Sequence, residues 1–171
     1  MAIESTLLIR RAHPGDLESI VSFSLEMALE TEGRRLDRAR LREGTGALLN
    51  SSQHGFFMVV EEPHTGQLIG QLMITYEWSD WRNAVFWWIQ SVYVVPAWRR
   101  QGVFRRLHAT VLSEAKREAR VCGVRLYVDA TNRIAQDVYK RVGLSPSSYA
   151  VFETDFVLGR HQHLEDRPDE A

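Results

Sequence analysis

The stretch Val92-Tyr93-Val94-Val95-Pro96-Ala97-Trp98-Arg99-Arg100-Gln101-Gly102-Val103-Phe104 switches from one periodicity to another. Upstream of it, Ala84 to Val95 places Val85, Trp87, Ile89, Ser91, Tyr93 and Val95 on one face of a strand and Phe86, Trp88, Gln90, Val92 and Val94 on the other. Both faces are largely apolar, the pattern of a strand covered on two sides. Pro96 must end it, because proline has no N–H for a ladder and restrains the residue before it. Downstream, Phe104, Leu107, His108, Val111, Leu112, Ala115 and Ala119 recur at helical spacing. A central strand therefore runs through a glycine-containing loop into a long helix. The N–H groups around Gln101 to Phe104 have no intrahelical acceptor, and the helix dipole places partial positive charge beside them. Arg99, Arg100, Arg105 and Arg106 add full charges, and from Trp98 to Arg120 basic residues outnumber acidic ones. This is an anion cradle, and a phosphate-bearing ligand is expected in it.

Outward from this segment, Val124 to Val128 reads as another buried strand, so strand, helix and strand make a right-handed parallel crossover. Asn132 to Val142 reads as a helix stopped by Gly143, and Ser148 to Val157 as a final strand. On the other side, Phe56–Glu61 and Gln67–Glu77 flank Pro63-His64-Thr65-Gly66 as an antiparallel hairpin, and Trp78 to Asn83 connects into the central strand. Thr6 to Arg11 is a first short strand. His13-Pro14-Gly15-Asp16 then supplies a turn and an N-cap for a helix carrying Leu17, Ile20, Val21, Ser24, Met27 and Ala28, and a second helix follows from about Leu36 to Leu49. The order β-α-α-β-β-β-α-β-α-β predicts an α/β fold, with a mixed, mostly antiparallel central sheet between helices.

At 171 residues the chain suits one domain, expected over residues 1–158, with a loose polar tail at 159–171. Hydrophobic residues at 44% and charged residues at 25% exclude a wholly disordered or fibrous chain. The net charge of −1 excludes a global basic surface, so neither nucleic acid nor a membrane is an expected partner. The single cysteine, Cys122, rules out an intramolecular disulfide or a cysteine zinc cluster and fits a reducing compartment. There is no apolar run of ~18 residues and no secretory core near Glu4 and Leu7–Ile9, so a cytoplasmic location is expected.

Val92-Tyr93-Val94, Arg99-Arg100-Gln101-Gly102-Val103, Asn132 and Tyr139, in that order and spacing, resemble the GNAT superfamily of acetyl-CoA-dependent N-acetyltransferases. The likeness is strongest from Val92 to Leu144. The family's loop pattern is Arg or Gln, two residues, Gly, one residue, then Gly or Ala. Arg99 and Gly102 match it, while Phe104 departs from it at the last position, where its place in the helical stripe turns it toward the core. The resemblance implies acetyl-CoA as co-substrate and no metal. It implies that amides of Arg99, Arg100, Gln101, Gly102, Val103 and Phe104 hold the coenzyme A diphosphate, and that the strand at Val92, Tyr93 and Val94 splays from its parallel neighbour so that pantetheine pairs with it. Asn132 and Tyr139 lie two turns apart on one side of their helix and both can face the cofactor.

Acetyl transfer needs a neutral amine, stabilisation of a developing oxyanion and a proton for the departing thiolate. The resemblance gives the last role to Tyr139, whose phenol with an ordinary pKa of ~10 keeps its proton at neutral pH. Backbone N–H groups where the central strand bulges near Tyr93 and Val94 are candidates for the oxyanion. Glu77 is the first candidate for the base, with Trp78 and Asp80 beside it to hold a cationic amine between carboxylates and rings. Glu26 and Glu30 on the first helix are rival candidates for the base and further acceptor-binding candidates, because that helix pair resembles the family's acceptor-binding lid. Cys122 and His108 read as packing residues, and His161 and His163 lie in the polar tail. The expected function is transfer of acetyl to a small-molecule or peptide primary amine by direct attack in a ternary complex. A catalytically idle acyl-CoA sensor and a nucleic-acid-binding domain are the alternatives. Family members often pair through late strands, which makes Ser148–Val157 the candidate homodimer contact.

Overall fold

The apolar alternation along three successive strands buries both sides of a sheet, and helices close over each side. A computed structural model describes residues 7–158. Strands β1 (Leu8–Arg11), β2 (Gly55–Glu61), β3 (Leu68–Ser79) and β4 (Ala84–Val94) are antiparallel neighbours, and β5 (Val121–Arg125) pairs in parallel with β4. Helices α1 (Leu17–Glu32) and α2 (Arg38–Asn50) cover one face, α3 (Val103–Arg117) covers the other, and α4 (Arg133–Arg141) follows β5. Met58, Ile74, Trp87 and Ile89 pack with Leu107, Val111 and Ala115 of α3. Phe57 and Val59 pack with Ile20 of α1 and with Leu48 and Leu49 of α2. Each such side chain contributes about 1.5–3 kcal/mol of burial, and together they make the expected three-layer fold around a mixed, mostly antiparallel sheet.

The entry to α1 is fixed by an ion network. Asp16 is the expected cap, yet its carboxylate bonds backwards: it accepts the His13 N–H at 2.9 Å and both Arg10 guanidinium nitrogens at 2.8 and 3.0 Å, and makes no capping bond to α1. Arg10 also bonds Glu61 of β2 at 3.0 Å, so the network ties β1 and β2 to the start of the helix.

Three sequence expectations are corrected. First, the faces of β4 are not constant. Met73 pairs with Gln90 but Gln71 pairs with Tyr93, so β4 carries an extra residue there, and Ser91 takes φ +51°. A bulge of one residue flips every side chain beyond it. Trp87 and Ile89 therefore face α3, whereas Tyr93 faces α1, and Val92 and Val94 join the α3 core. Second, β5 spans Val121–Arg125 rather than Val124–Val128. It begins as soon as α3 ends, pairs from Val85↔Val121 to Trp88↔Arg125, and leaves the sheet where β4 bulges. Third, Ser148–Val157 forms no strand. Its β-prone residues pair with no strand of the sheet, although β5 is an edge strand, and Phe152 and Phe156 are 95% and 93% exposed. The candidate homodimer contact falls on this segment, which is not a strand here. The tail at 159–171, with His161 and His163, lies outside the described residues, as does Thr6.

Candidate active site

Beyond Trp88 and Arg125 the two parallel strands part, which leaves one edge of β4 open. Val95 donates its N–H to Ile69 O at 3.0 Å. Antiparallel alternation then directs the backbone groups of Tyr93 to β3 and those of Val92 and Val94 to the open edge. The Val94 carbonyl there accepts Nε of Arg99 at 2.8 Å.

The open edge leads, through Pro96–Trp98, into the N-terminus of α3. Gly102 is the N-cap at φ +78°, a conformation that suits glycine, and it makes no side-chain capping bond. The first intrahelical bond runs from Arg106 N–H to Gly102 O, so the amides of Gly102, Val103, Phe104 and Arg105 have no intrahelical acceptor. Gln101 bonds Ala97 O through its side chain at 2.8 Å, and Arg100 takes φ +63° in the turn. The Arg105 guanidinium lies over Gly102, 3.5 Å from where a Cβ would stand. Uncapped amides, a helix dipole and nearby guanidinium groups fit a diphosphate.

Helix α1 is fastened to this region. The Tyr93 hydroxyl donates to Glu26, and Glu30 accepts from Arg99 at 2.7 Å. Burial first, and then the bond to Glu26, push the Tyr93 phenol up to about 12. Glu26 and Glu30, read from sequence as acceptor candidates, thus hold α1 against β4 and the loop before α3.

Asn132 is the N-cap of α4 and accepts the Ala135 N–H at 3.0 Å. Tyr139 lies two turns on and is partly buried, and that burial raises its phenol above the ordinary value. Phe104 does not enter the core as expected. Its half-buried ring meets Tyr139 edge-on, with centroids 5.5 Å apart. His108 is buried with Nε2 unpartnered, and burial lowers its basicity.

Glu77 faces Phe86 at the other end of β4. Its carboxylate accepts from Arg125 at 3.0 and 3.2 Å and from the indole N–H of Trp88. A cavity of about 310 Å³ opens here, lined among others by Glu77, Trp78, Asp80, Arg82, Arg125 and Tyr149. Asp80 accepts the Trp81 N–H within the hairpin turn. Glu77, Trp78 and Asp80 therefore share one cavity, but Glu26 and Glu30 stand near Tyr93, seven residues along β4, or roughly 20 Å at strand rise.

Between these ends lies a polar band that the sequence reading missed. Gln90 donates to Thr75 at 2.6 Å and accepts from Tyr127 at 3.4 Å, and Tyr127 packs on Trp88. Gln71, fully buried, donates to Ser24 of α1 at 3.1 Å and to the Ser91 carbonyl in the bulge at 3.4 Å. A polar residue in the midst of apolar β3 was the available signal. Among the described residues no cluster of His, Cys, Asp and Glu is placed to hold a metal ion, and no helix is long and apolar enough to cross a membrane.

The sequence profile of the Acetyltransferase (GNAT) family matches residues 18–144. The chain belongs to the GNAT acetyltransferase family. A solved structure described as a possible acetyltransferase from Clostridium difficile 630 is 36% identical, covers 88% of this chain and 98% of its own, and superposes with a TM-score of 0.82. A predicted acetyltransferase with acetyl-CoA from Clostridium acetobutylicum shares the fold at 18% identity, covering 87% of this chain and 96% of its own, TM-score 0.72. An aminoglycoside acetyltransferase from an uncultured soil metagenomic sample, in complex with sisomicin, does so at 19% identity, covering 90% and 97%, TM-score 0.69. No curated protein matches this chain. Membership makes the protein an acyltransferase of an acetyl-CoA-dependent family.

Proposed function

We propose that this GNAT protein transfers acetyl from acetyl-CoA to a primary amine by direct attack in a ternary complex. The observation that carries this reading is the continuity between the open edge of β4 and the uncapped N-terminus of α3. The backbone of Val92 and Val94 is suited to pair with pantetheine, and the amides from Gln101 to Phe104, with Arg100 and Arg105, to hold the diphosphate. Bound acetyl-CoA supplies the activated thioester. Arg99 must release Val94 O for the whole edge to pair, so Arg99 exchanges one partner on binding. Asn132 fixes the start of α4, and Tyr139 on that helix holds the proton destined for sulfur. Its burial, which favours the neutral phenol, keeps that proton in place through the physiological range.

Because Tyr93 directs its N–H to β3, the oxyanion donor is one of the open-edge N–H groups of Val92 and Val94, which stand about 6–7 Å apart, while the other pairs with pantetheine. Glu77 is the proposed proton acceptor on the amine side. A carboxylate offers about four lone-pair sites, so Arg125 and Trp88 leave room for an ammonium guided by Trp78 and Asp80. A lone half-buried cysteine fits work in the reducing cytoplasm.

Neighbours of the same fold were solved with sisomicin and with an acetylneamine bisubstrate analogue, so aminoglycosides belong in the first acceptor panel beside spermidine, lysine and a peptide N-terminus. Acetyl-CoA consumption read by free thiol is expected with at least one amine. Tyr139→Phe is expected to lower kcat by about 100-fold or more while acetyl-CoA still binds. Cofactor binding without turnover on any amine contradicts the reading and favours a sensor.

A further inference from the structure

Helix α4 has nine residues and none is buried, so the sheet does little to fix where it stands. What reaches it from α3 is Phe104. The Phe104 and Tyr139 rings meet edge-to-face, 5.5 Å apart at 62°, an arrangement aromatic pairs favour over a stacked sandwich. On the same side of α3 one turn later, the His108 ring lies 5.8 Å from Phe104. His108 is only 2% exposed and therefore immobile in the core. Phe104 is thus wedged between a fixed imidazole and the phenol ring, two residues from Gly102 at the cap of α3.

We propose that Phe104 is a positioning residue, whose edge-to-face contact fixes the Tyr139 ring relative to the N-terminus of α3 and so acts on acetyl transfer through Tyr139. The proposal rests on the proton-donor reading of Tyr139. A donor must stand within about 0.5 Å of its productive place, and a ring on a helix without a buried residue has few other means of staying there. On this proposal the Phe104 ring, which meets the Tyr139 ring edge-on, also shields that side chain from water. Burial is what raises the Tyr139 phenol above its ordinary value.

The test is a double-mutant cycle in the full chain with Phe104→Ala, Tyr139→Phe and both together, using acetyl-CoA and the fastest amine of the panel. Phe104→Ala is expected to lower kcat by about tenfold, in line with the sensitivity of catalysis to small misplacements, and to change the acetyl-CoA KM by less than about threefold. In the Tyr139→Phe background it should cost almost nothing further, because the two residues act as one unit. An equal loss in both backgrounds overturns the proposal, as does an unimpaired Phe104→Ala beside an impaired Tyr139→Phe. An unimpaired Tyr139→Phe instead removes the proton-donor reading on which the proposal rests.

A second measurement needs no acceptor. Alkaline absorbance titration, taken as the difference between each protein and its Tyr139→Phe version, isolates this phenol. Its midpoint should lie above the ordinary ~10 in the parent and fall toward it in Phe104→Ala. An unmoved midpoint contradicts the proposal. Phe104→Leu, which keeps apolar volume and loses the aromatic edge, gives the same readouts with less risk to folding and should show a smaller loss of the same kind.

Discussion

Tyr93 shows how one residue divides its backbone from its side chain. Its main chain pairs with Gln71 in β3, while its buried phenol donates to Glu26 of α1. The folded phenol titrates near 12 and the unfolded one near the ordinary ~10. Between those values the folded state binds more protons, so the stability contributed by Tyr93 is complete below pH ~10 and disappears as pH rises through 12. Tyr93→Phe should therefore cost about 1–2 kcal/mol at pH 7 and show a shallower loss of stability between pH 10 and 12, as read by urea denaturation. An identical alkaline slope in both proteins would contradict this. Asp16 has the opposite sign. Burial opposes its ionisation, but the Arg10 and His13 bonds outweigh burial and hold its carboxyl below the usual range. Its contribution is present above the unfolded pKa of ~4 and lost as pH falls through the folded value. Asp16→Ala should lower stability by about 1.5–3 kcal/mol at neutral pH, since it removes the charge-assisted bonds to Arg10 and the His13 N–H while Glu61 still pairs with the guanidinium. A melting temperature unchanged at pH 7 would refute the network's role.

Among the elements, the β2–β3 pairing contains the tightest fit. Gly55 has φ +147°, and a Cβ there would lie 1.8 Å from the Ile74 carbonyl oxygen. Backbone rather than a flexible side chain is in the way, so Gly55→Ala should destabilise by at least about 3 kcal/mol in chemical denaturation. The sequence also showed which elements exist. Periodicity of two located β2, β3 and β4, a helical stripe located α3, and turn residues separated them. It failed where pairing with a partner decides the outcome. Val124–Val128 has strand composition, yet β5 lies earlier because β4 is within reach only as far as Arg125. The bulge at Ser91 is invisible to composition, since no glycine or asparagine marks its left-handed residue, and it reverses the faces read for Tyr93, Val92 and Val94. Ser148–Val157 has the propensity of a strand yet does not join the sheet, although β5 is an edge strand.

On the scale of the molecule, the cofactor half of the candidate site was legible because it is made of turn chemistry and short spacings: Gly102 before a helix, Asn132 at a cap, Tyr139 two turns on. The acceptor half was legible only in part. Glu77, Trp78 and Asp80 do meet in one cavity. The partners of Glu77, namely Trp88 and Arg125, arrive from other strands, and no local pattern announces them. Glu26 and Glu30 look like solvated positions on a lid helix, and their bonds to Tyr93 and Arg99 exist only once the chain has folded. These bonds join α1 to β4 and to the loop before α3, so α1 should respond if acetyl-CoA occupies that loop as proposed.

Acetyl-CoA is proposed to lie along the open edge of β4 with its diphosphate on the α3 N-terminus. Amide hydrogen exchange with and without acetyl-CoA tests this at both places at once. The predicted result is slowed exchange across Val92–Val95 and Gln101–Arg105, with little change in β1 and β2. Binding that leaves both segments exchanging at their free rates would contradict it.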